Sequence, residues 1–273
     1  MAEKIWKSLT MEVNGVAQEV KFTTAAIDKV FKPFLTKLTE LQGLMDRKVV
    51  AFIAAPPATG KTTLAQFLEK LSREEIMLTN VRALSMDGFH YPAEFLKANK
   101  ILHDGKEILL NDIKGAPETF DVDTLQIKLR EVRQEGTDWN IYDRNIHDVI
   151  ENAFSVEDDI VLLEGNYLLL EEPRWTNIRV LADYTVFIKA DPTMLKDRLI
   201  SRKIRGGLTS EAAANFYLNS DSRNVERVLK NSARGNETWQ LQSDGDFIKI
   251  GDMDEDFDEV IFDETILEDE ADS

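Results

Sequence analysis

Residues 54–63, AAPPATGKTT, set Gly60, Lys61 and Thr62 in the order that a phosphate-binding loop requires. Such a loop holds an anion because successive backbone N–H groups point into a concavity backed by a helix N-terminus. Gly60 lets the backbone come close to the phosphates, Lys61 would reach the β- and γ-phosphates, and the Thr62 hydroxyl would ligate Mg²⁺. Ala58, Thr59 and Thr63 complete the expected nucleotide contacts. Ala55 stands where the general pattern begins with glycine, and it closes the turn if its φ is negative. Pro56 and Pro57 fix φ and remove donors only on the strand side of the loop.

Three further stretches bear on what is done with the phosphate. In SMDGFHYP (85–92), Asp87 follows an apolar strand and could accept the proton of a hydroxyl that attacks the γ-phosphate. The competing reading is an ordinary Asp-Gly turn. In IVLLEGNYLLL (160–170), Glu164 ends an apolar run where a Mg²⁺ or its water shell would sit. In ADPTMLKDRLISRKIRGG (190–207), Asp191 and Pro192 read as an N-cap and first helical residue. Arg198 and Arg202 share one helix face, and Gly206-Gly207 follows Arg205, which suits a lid whose arginines stabilise the transferred phosphoryl group. The plainer reading is a solvated basic helix face. His90, His103 and His147 do not have metal-ligand spacing. Trp139 and Trp175 read as packing residues before stacking platforms, and Asp221 and Asn224 are candidates to approach the adenine or the pocket.

Taken together, the chain resembles the uridine kinase, pantothenate kinase and phosphoribulokinase superfamily of P-loop kinases, especially bacterial members described as uridine-kinase-like or sugar-kinase-like. The likeness covers roughly residues 47–230 and rests on the loop, MDGFHYP, KGAPETFDVDTL (114–125), YDRNIHD (142–148), LLEGNYLLL and the lid arginines, all in order. The resemblance implies ATP as co-substrate with Mg²⁺, and Asp87 as catalytic base. It makes Lys61, Thr62 and Glu164 the phosphate and metal residues, and Arg198 and Arg202 the lid. It places His90 and Tyr91 in the acceptor pocket, and Tyr142 and Arg144 against substrate or phosphate. Ala55 and Ala58 depart from the glycines usual in the loop. The expected reaction is phosphorylation of a metabolite hydroxyl, with a nucleoside first and a sugar or pantothenate as the alternative. A nucleotide-dependent switch without phosphotransfer is the reading of another class, and no N-K-x-D guanine-reading motif is found.

The elements that must position these residues follow from periodicity. KVVAFIA, VRALSMD, DIVLLEGN and DYTVFIKAD are short apolar strands separated by helical stretches, so the expected fold is α/β, a P-loop NTPase with a mostly parallel sheet between helices. Asn14-Gly15 between alternating segments predicts a tight hairpin, followed by an amphipathic helix from Ile27 that Pro33 should kink or restart. Residues 1–46 are thus an addition to a kinase domain at 47–250, with a lid near 198–207.

The remaining 23 residues, 251–273, hold 12 of the 50 acidic residues and no Lys or Arg. The tail reads as a solubilising extension, with DEVIF as a candidate edge strand. Net charge is −17 for the 273 residues but only −5 without the tail, so no nucleic-acid-binding face is expected. With no cysteine, no apolar run of membrane-spanning length and no secretory signal, a cytoplasmic protein without a membrane partner is expected. Its partner is a small-molecule acceptor, and a homo-oligomer is compatible with the sequence.

Overall fold

β3 (Val49–Ala54) is buried along its whole length, and successive residues serve two different cores. Val49, Ala51 and Ile53 pack on one side of the sheet, Val50, Phe52 and Ala54 on the other. β9 (Ile160–Gly165) divides in the same way, with Ile160 and Leu162 opposite Val161 and Leu163. Continuous apolar runs of this kind mark strands covered on both faces. The computed structural model describes residues 3–13, 15–103 and 105–251.

The central sheet has the order β12-β11-β10-β3-β9-β4, with β4 at Val81–Ser85, β10 at Tyr184–Lys189, β11 at Glu237–Leu241 and β12 at Phe247–Ile250. All neighbours run parallel except β12, which pairs antiparallel with β11. The carboxyl ends of β3, β9 and β4 therefore lie side by side, Ala54 opposite Gly165 and Ser85 opposite Glu164. Ligands of open parallel sheets bind at this edge. Three two-stranded ribbons complete the β structure: β1 (Trp6–Val13) with β2 (Val16–Thr23), β5 (Lys100–His103) with β6 (Lys106–Leu109), and β7 (Thr137–Asp143) with β8 (Asp148–Val156). The sequence reading anticipates the first ribbon but not the other two, nor β11 and β12.

The helices are α1 (Thr24–Ala26), α2 (Lys32–Met45), α3 (Lys61–Glu74), α4 (Ala93–Ala98), α5 (Val122–Glu131), α6 (Pro192–Arg205), α7 (Ser210–Phe216) and α8 (Ser222–Asn231). A π turn (Ile27–Phe31) joins α1 to α2, and Pro33 falls in the first turn of α2. Asp191 caps α6 through the N–H groups of Thr193 and Met194, and Pro192 follows as expected. In the first hairpin Val13 pairs with Val16 and Gly15 has φ 77, while Asn14 lies outside the described residues, as does the suggested DEVIF strand.

The N-terminal addition shares the kinase core. Met11, Val13, Val20 and Phe22 join the cluster that holds α2, α3 and one sheet face. Phe22 stacks on Phe67 of α3 at 4.2 Å and meets the edge of Phe31 at 5.6 Å. Below the sheet, Asp183 receives hydrogen bonds from Arg47 at 2.8 and 3.0 Å, from Arg133 at 2.7 and 3.3 Å, and from the Val50 N–H at 2.9 Å. It thereby fastens the start of β3 to the segments before β7 and β10. Burial by itself would raise the Asp183 carboxyl, but these donors outweigh it and hold its pKa at about 2. Because that pKa is depressed, the stabilisation is present above 3.8 and lost as the pH falls toward about 2. Asp183→Asn is expected to cost roughly 2–4 kcal/mol at neutral pH in denaturant unfolding. The gap to the wild type should narrow below pH 3.8; a gap that does not change with pH would contradict the charge-based account.

Candidate functional site

The loop after β3 leaves the sheet with a hydrogen bond from the Ala55 N–H to the Gly165 carbonyl at 3.3 Å. Ala55 is fully buried and is not among the residues with positive φ, so alanine meets the condition set by the sequence. Ala58 does not behave so simply. Its φ is 66, a left-handed conformation that costs a residue with a side chain about 1–2 kcal/mol. Gly60 has φ 86 and caps α3 without a side-chain hydrogen bond, which leaves the first N–H groups of that helix available to an anion. The buried Thr59 hydroxyl donates to the Pro56 carbonyl at 3.1 Å and so braces the loop. Thr63 is half-buried in the first turn of α3.

Behind the loop, the Thr62 hydroxyl donates to Glu164 Oε1 at 2.9 Å, and Lys61 Nζ lies 4.0 Å from Glu164 Oε2. Glu164 is almost fully buried. Burial pushes its pKa up, opposed by the Lys61 charge and by hydrogen bonds from Ser85 and Thr62, while Asp87 pushes it further up. Lys61 is pushed down chiefly by burial, with Glu164 and Asp87 resisting and Arg202 and Arg144 adding to the shift.

Asp87 sits on a 3-10 turn (Met86–Phe89) that follows β4, so the Asp-Gly pair is a turn and also delivers a carboxylate. Gly88 is needed there for closeness: a Cβ would stand 2.2 Å from the Asn140 carbonyl oxygen of β7. Thr62, Asp87, Glu164, Ser85, Gln66, Asn140, Tyr142 and Arg144 line one cleft of about 200 Å³. Trp139 walls it, but its indole N–H donates to the Ser85 carbonyl at 3.3 Å and its ring meets Phe89 edge-on at 4.9 Å. Trp175 packs against Tyr167 and Phe120. Both tryptophans are core residues.

Arginines of α6 complete one side. Arg198 Nη1 reaches the Ala58 carbonyl at 3.4 Å, and burial lowers its pKa. Arg202 is likewise lowered by burial, with Asp221 and Asp87 resisting and Arg144 and Arg205 adding to the shift. Asp221 is buried beside Lys203 at 4.0 Å with one oxygen lacking a hydrogen bond, so it joins the charges of α6. Asn224 is buried on α8.

The structure brings Lys61, Thr62, Asp87, Tyr142, Arg144, Glu164 and Arg202 to one place. His90 borders it, its ring 5.4 Å from that of Tyr142, whereas Tyr91 does not enter it. The His90 ring is tilted against Phe120 at 3.9 Å, its Nδ1 is 2.9 Å from the Asp87 carbonyl oxygen, and it lines a second cavity with Asp121, Thr124, Lys128 and Glu151. Burial holds its pKa down. Tyr91 turns outward, stacked on Phe95 at 4.4 Å, and its hydroxyl accepts from Arg174 at 3.3 Å. His90 leaves the 3-10 turn in extended conformation, where neighbouring side chains point to opposite sides, so Tyr91 turns away from the side that His90 faces. Ser85, Asn140 and Gln66 were not anticipated as lining residues, although Ser85 begins the SMDGFHYP stretch.

Thr62 and Glu164 offer hard oxygen donors beside a phosphate loop, the donor type that suits Mg²⁺ held largely by phosphates and water. Among the described residues, no group of three or more His, Cys, Asp or Glu could hold a metal on its own.

Fold and loop together define a P-loop kinase. The Phosphoribulokinase / Uridine kinase family matches residues 50–221, and the chain belongs to that family. An Escherichia coli K12 relative, YggC, described as uncharacterized, is 40% identical over 238 residues, covering 87% of this chain and 97% of its own. A Schizosaccharomyces pombe protein provisionally named a uridine kinase is 32% identical over 193 residues, 68% of this chain and 80% of its own. A crystal structure from Silicibacter sp. TM1040, provisionally described as a fructose transport system kinase, is similar with a TM-score of 0.63 at 27% identity, covering 74% of this chain and 98% of that one.

The strained Ala58 gives a direct test. Ala58→Gly should stabilise the protein by roughly 0.5 kcal/mol, the relieved strain being partly offset by the freer unfolded chain. Denaturant unfolding measures this, and a loss of stability would show that the loop accepts alanine without strain.

Proposed function

We propose that the protein is an ATP-dependent kinase that transfers the γ-phosphoryl group to a hydroxyl of a small metabolite. One observation carries this reading: the Asp87 carboxylate lines the same cleft as Thr62 and Glu164, within the electrostatic reach of Lys61 and Arg202. An acceptor alcohol in the cleft would give its proton to Asp87 as its oxygen forms a bond to the γ-phosphorus. The bond from that phosphorus to the β–γ bridging oxygen breaks, and ADP leaves with the electron pair. Lys61 and Arg202 face the charge that develops, and Arg198 approaches the loop itself. When bound between Thr62 and Glu164, Mg²⁺ would supply charge neutralisation on the phosphates. The glycines after α6, with Gly207 at φ 100, allow the lid to move and to exclude water as a competing acceptor.

The acceptor class is the wider one, a small metabolite with an alcohol. The relatives' names point to a nucleoside in one case and to fructose transport in another. A panel of nucleosides, sugars and pantothenate, assayed for acceptor-stimulated ADP release, identifies members of that class. With an acceptor so found, Asp87→Asn should lower turnover about 10²–10⁴-fold while ATP affinity changes only a few-fold. Unchanged turnover would remove Asp87 from the role of base.

A further inference from the structure

Asp221 ends a π turn (Tyr217–Asp221) that joins α7 to α8, and its side chain is buried. Oδ2 lies 4.0 Å from Lys203 Nζ, beyond hydrogen-bond distance. Among the described residues only four buried side-chain atoms lack a hydrogen-bond partner, and this is the one carboxylate oxygen of the four. Burial pushes the carboxyl up, with Lys203 and Arg202 resisting. A buried anion without a donor is costly, so a residue kept only for packing would be neutral here.

Lys203 is engaged elsewhere. Its ammonium sits 3.3 Å from the centre of the Phe216 ring on α7, a cation–π contact. The neighbouring cation on α6 is Arg202. Two carboxylates act on it, Asp221 and Asp87, and its own charge acts on Lys61. Arg202 is therefore within electrostatic reach of both the phosphate end of the cleft and the orphan oxygen. Among the described residues neither carboxylate is within ion-pair distance of it, so its guanidinium is not fixed by either. A guanidinium carries its donors in a planar fork, so one edge can bond a carboxylate while the other meets phosphoryl oxygens.

We propose that Asp221 is a positioning residue for phosphoryl transfer: when Mg·ATP fills the loop and α6 closes over it, the open Asp221 oxygen accepts a hydrogen bond from Arg202 and holds the guanidinium on the γ-phosphoryl group. This rests on the kinase reading above, in which Arg202 faces the charge that develops. An arginine already held from behind loses less freedom when it meets the transition state, which is why the contact acts on the chemical step. The rival explanation is that Asp221 attracts Lys203 and merely ties the π turn to α6. A tie of that kind would act without regard to Arg202.

A double-mutant cycle separates these cases, run on the full chain with Mg·ATP and an acceptor found in the panel above. Asp221→Asn should lower kcat roughly tenfold, as loss of a charge-assisted hydrogen bond implies, while KM for ATP and for the acceptor changes less than about threefold. Arg202→Gln should lower kcat at least as much, and the double variant should be no slower than Arg202→Gln alone. Lys203→Gln, which removes the rival contact, should change kcat less than about threefold. If Asp221→Asn does not fold, Asp221→Glu takes its place in the cycle, and the displaced carboxylate should slow the reaction only where Arg202 is present. Unchanged kcat in the Asp221 variant, a loss that Lys203→Gln reproduces, or losses that multiply with Arg202→Gln would overturn the assignment and leave the kinase intact. Full turnover by Arg202→Gln would remove that arginine from the reaction and this inference with it, leaving the role of Asp87 standing. Product from no acceptor in the panel, with ATP turnover unstimulated, would overturn the phosphotransfer reading itself.

Discussion

A lysine and a glutamate buried side by side at the end of the sheet set the terms for everything around them. Lys61 and Glu164 are 4.0 Å apart, and burial pushes each toward its neutral form. They stay together because β3 and β9 are neighbours whose register puts Ala54 opposite Gly165. The same edge supplies Ser85 from β4 and, two residues on, Asp87. A phosphate group entering beside Lys61 would favour its charged form, so binding of the anion and protonation of the lysine are linked. Parallel pairing of three apolar strands is therefore the condition for the site. Loops alone could not hold charges this close in a region from which water is largely excluded.

Arginine is used in two opposite ways. Arg47, Arg73, Arg82, Arg133 and Arg227 are paired with carboxylates and act as clamps between segments. Arg144, Arg198 and Arg202, among the described residues, have no carboxylate within ion-pair distance, and Arg198 and Arg202 are partly desolvated. Grouping such cations is unfavourable in the free protein; Asp221 and Asp87 offset it in part, and a bound polyanion would offset it further. The chain is acidic overall, so this cluster is a local exception and not an extension of a basic surface.

Much of this was legible in the sequence because the signals were local. The loop, the strand-ending Glu164, the Asp191 cap and the four parallel strands follow from short-range pattern, and Ala55 satisfies the backbone condition stated for it. Tyr91 points away from the Asp87 cleft, since adjacency in sequence says little about direction once the chain leaves a 3-10 turn in extended form. Trp139 reads as a packing residue and is one, though it also walls the cleft. The β7–β8 ribbon escaped notice because its strand β8 is largely exposed and lacks a clean apolar alternation.

The central claim is that Asp87 faces the terminal phosphoryl group across a gap that fits one alcohol. A crystal structure with Mg²⁺ and a non-hydrolysable ATP analogue tests it most directly. The account predicts the γ-phosphate among Lys61, Arg144 and Arg202, with the Asp87 carboxylate directed at it and separated by the width of a single hydroxyl group. A γ-phosphate walled off from Asp87, or an Asp87 turned away and bonded elsewhere, would contradict it.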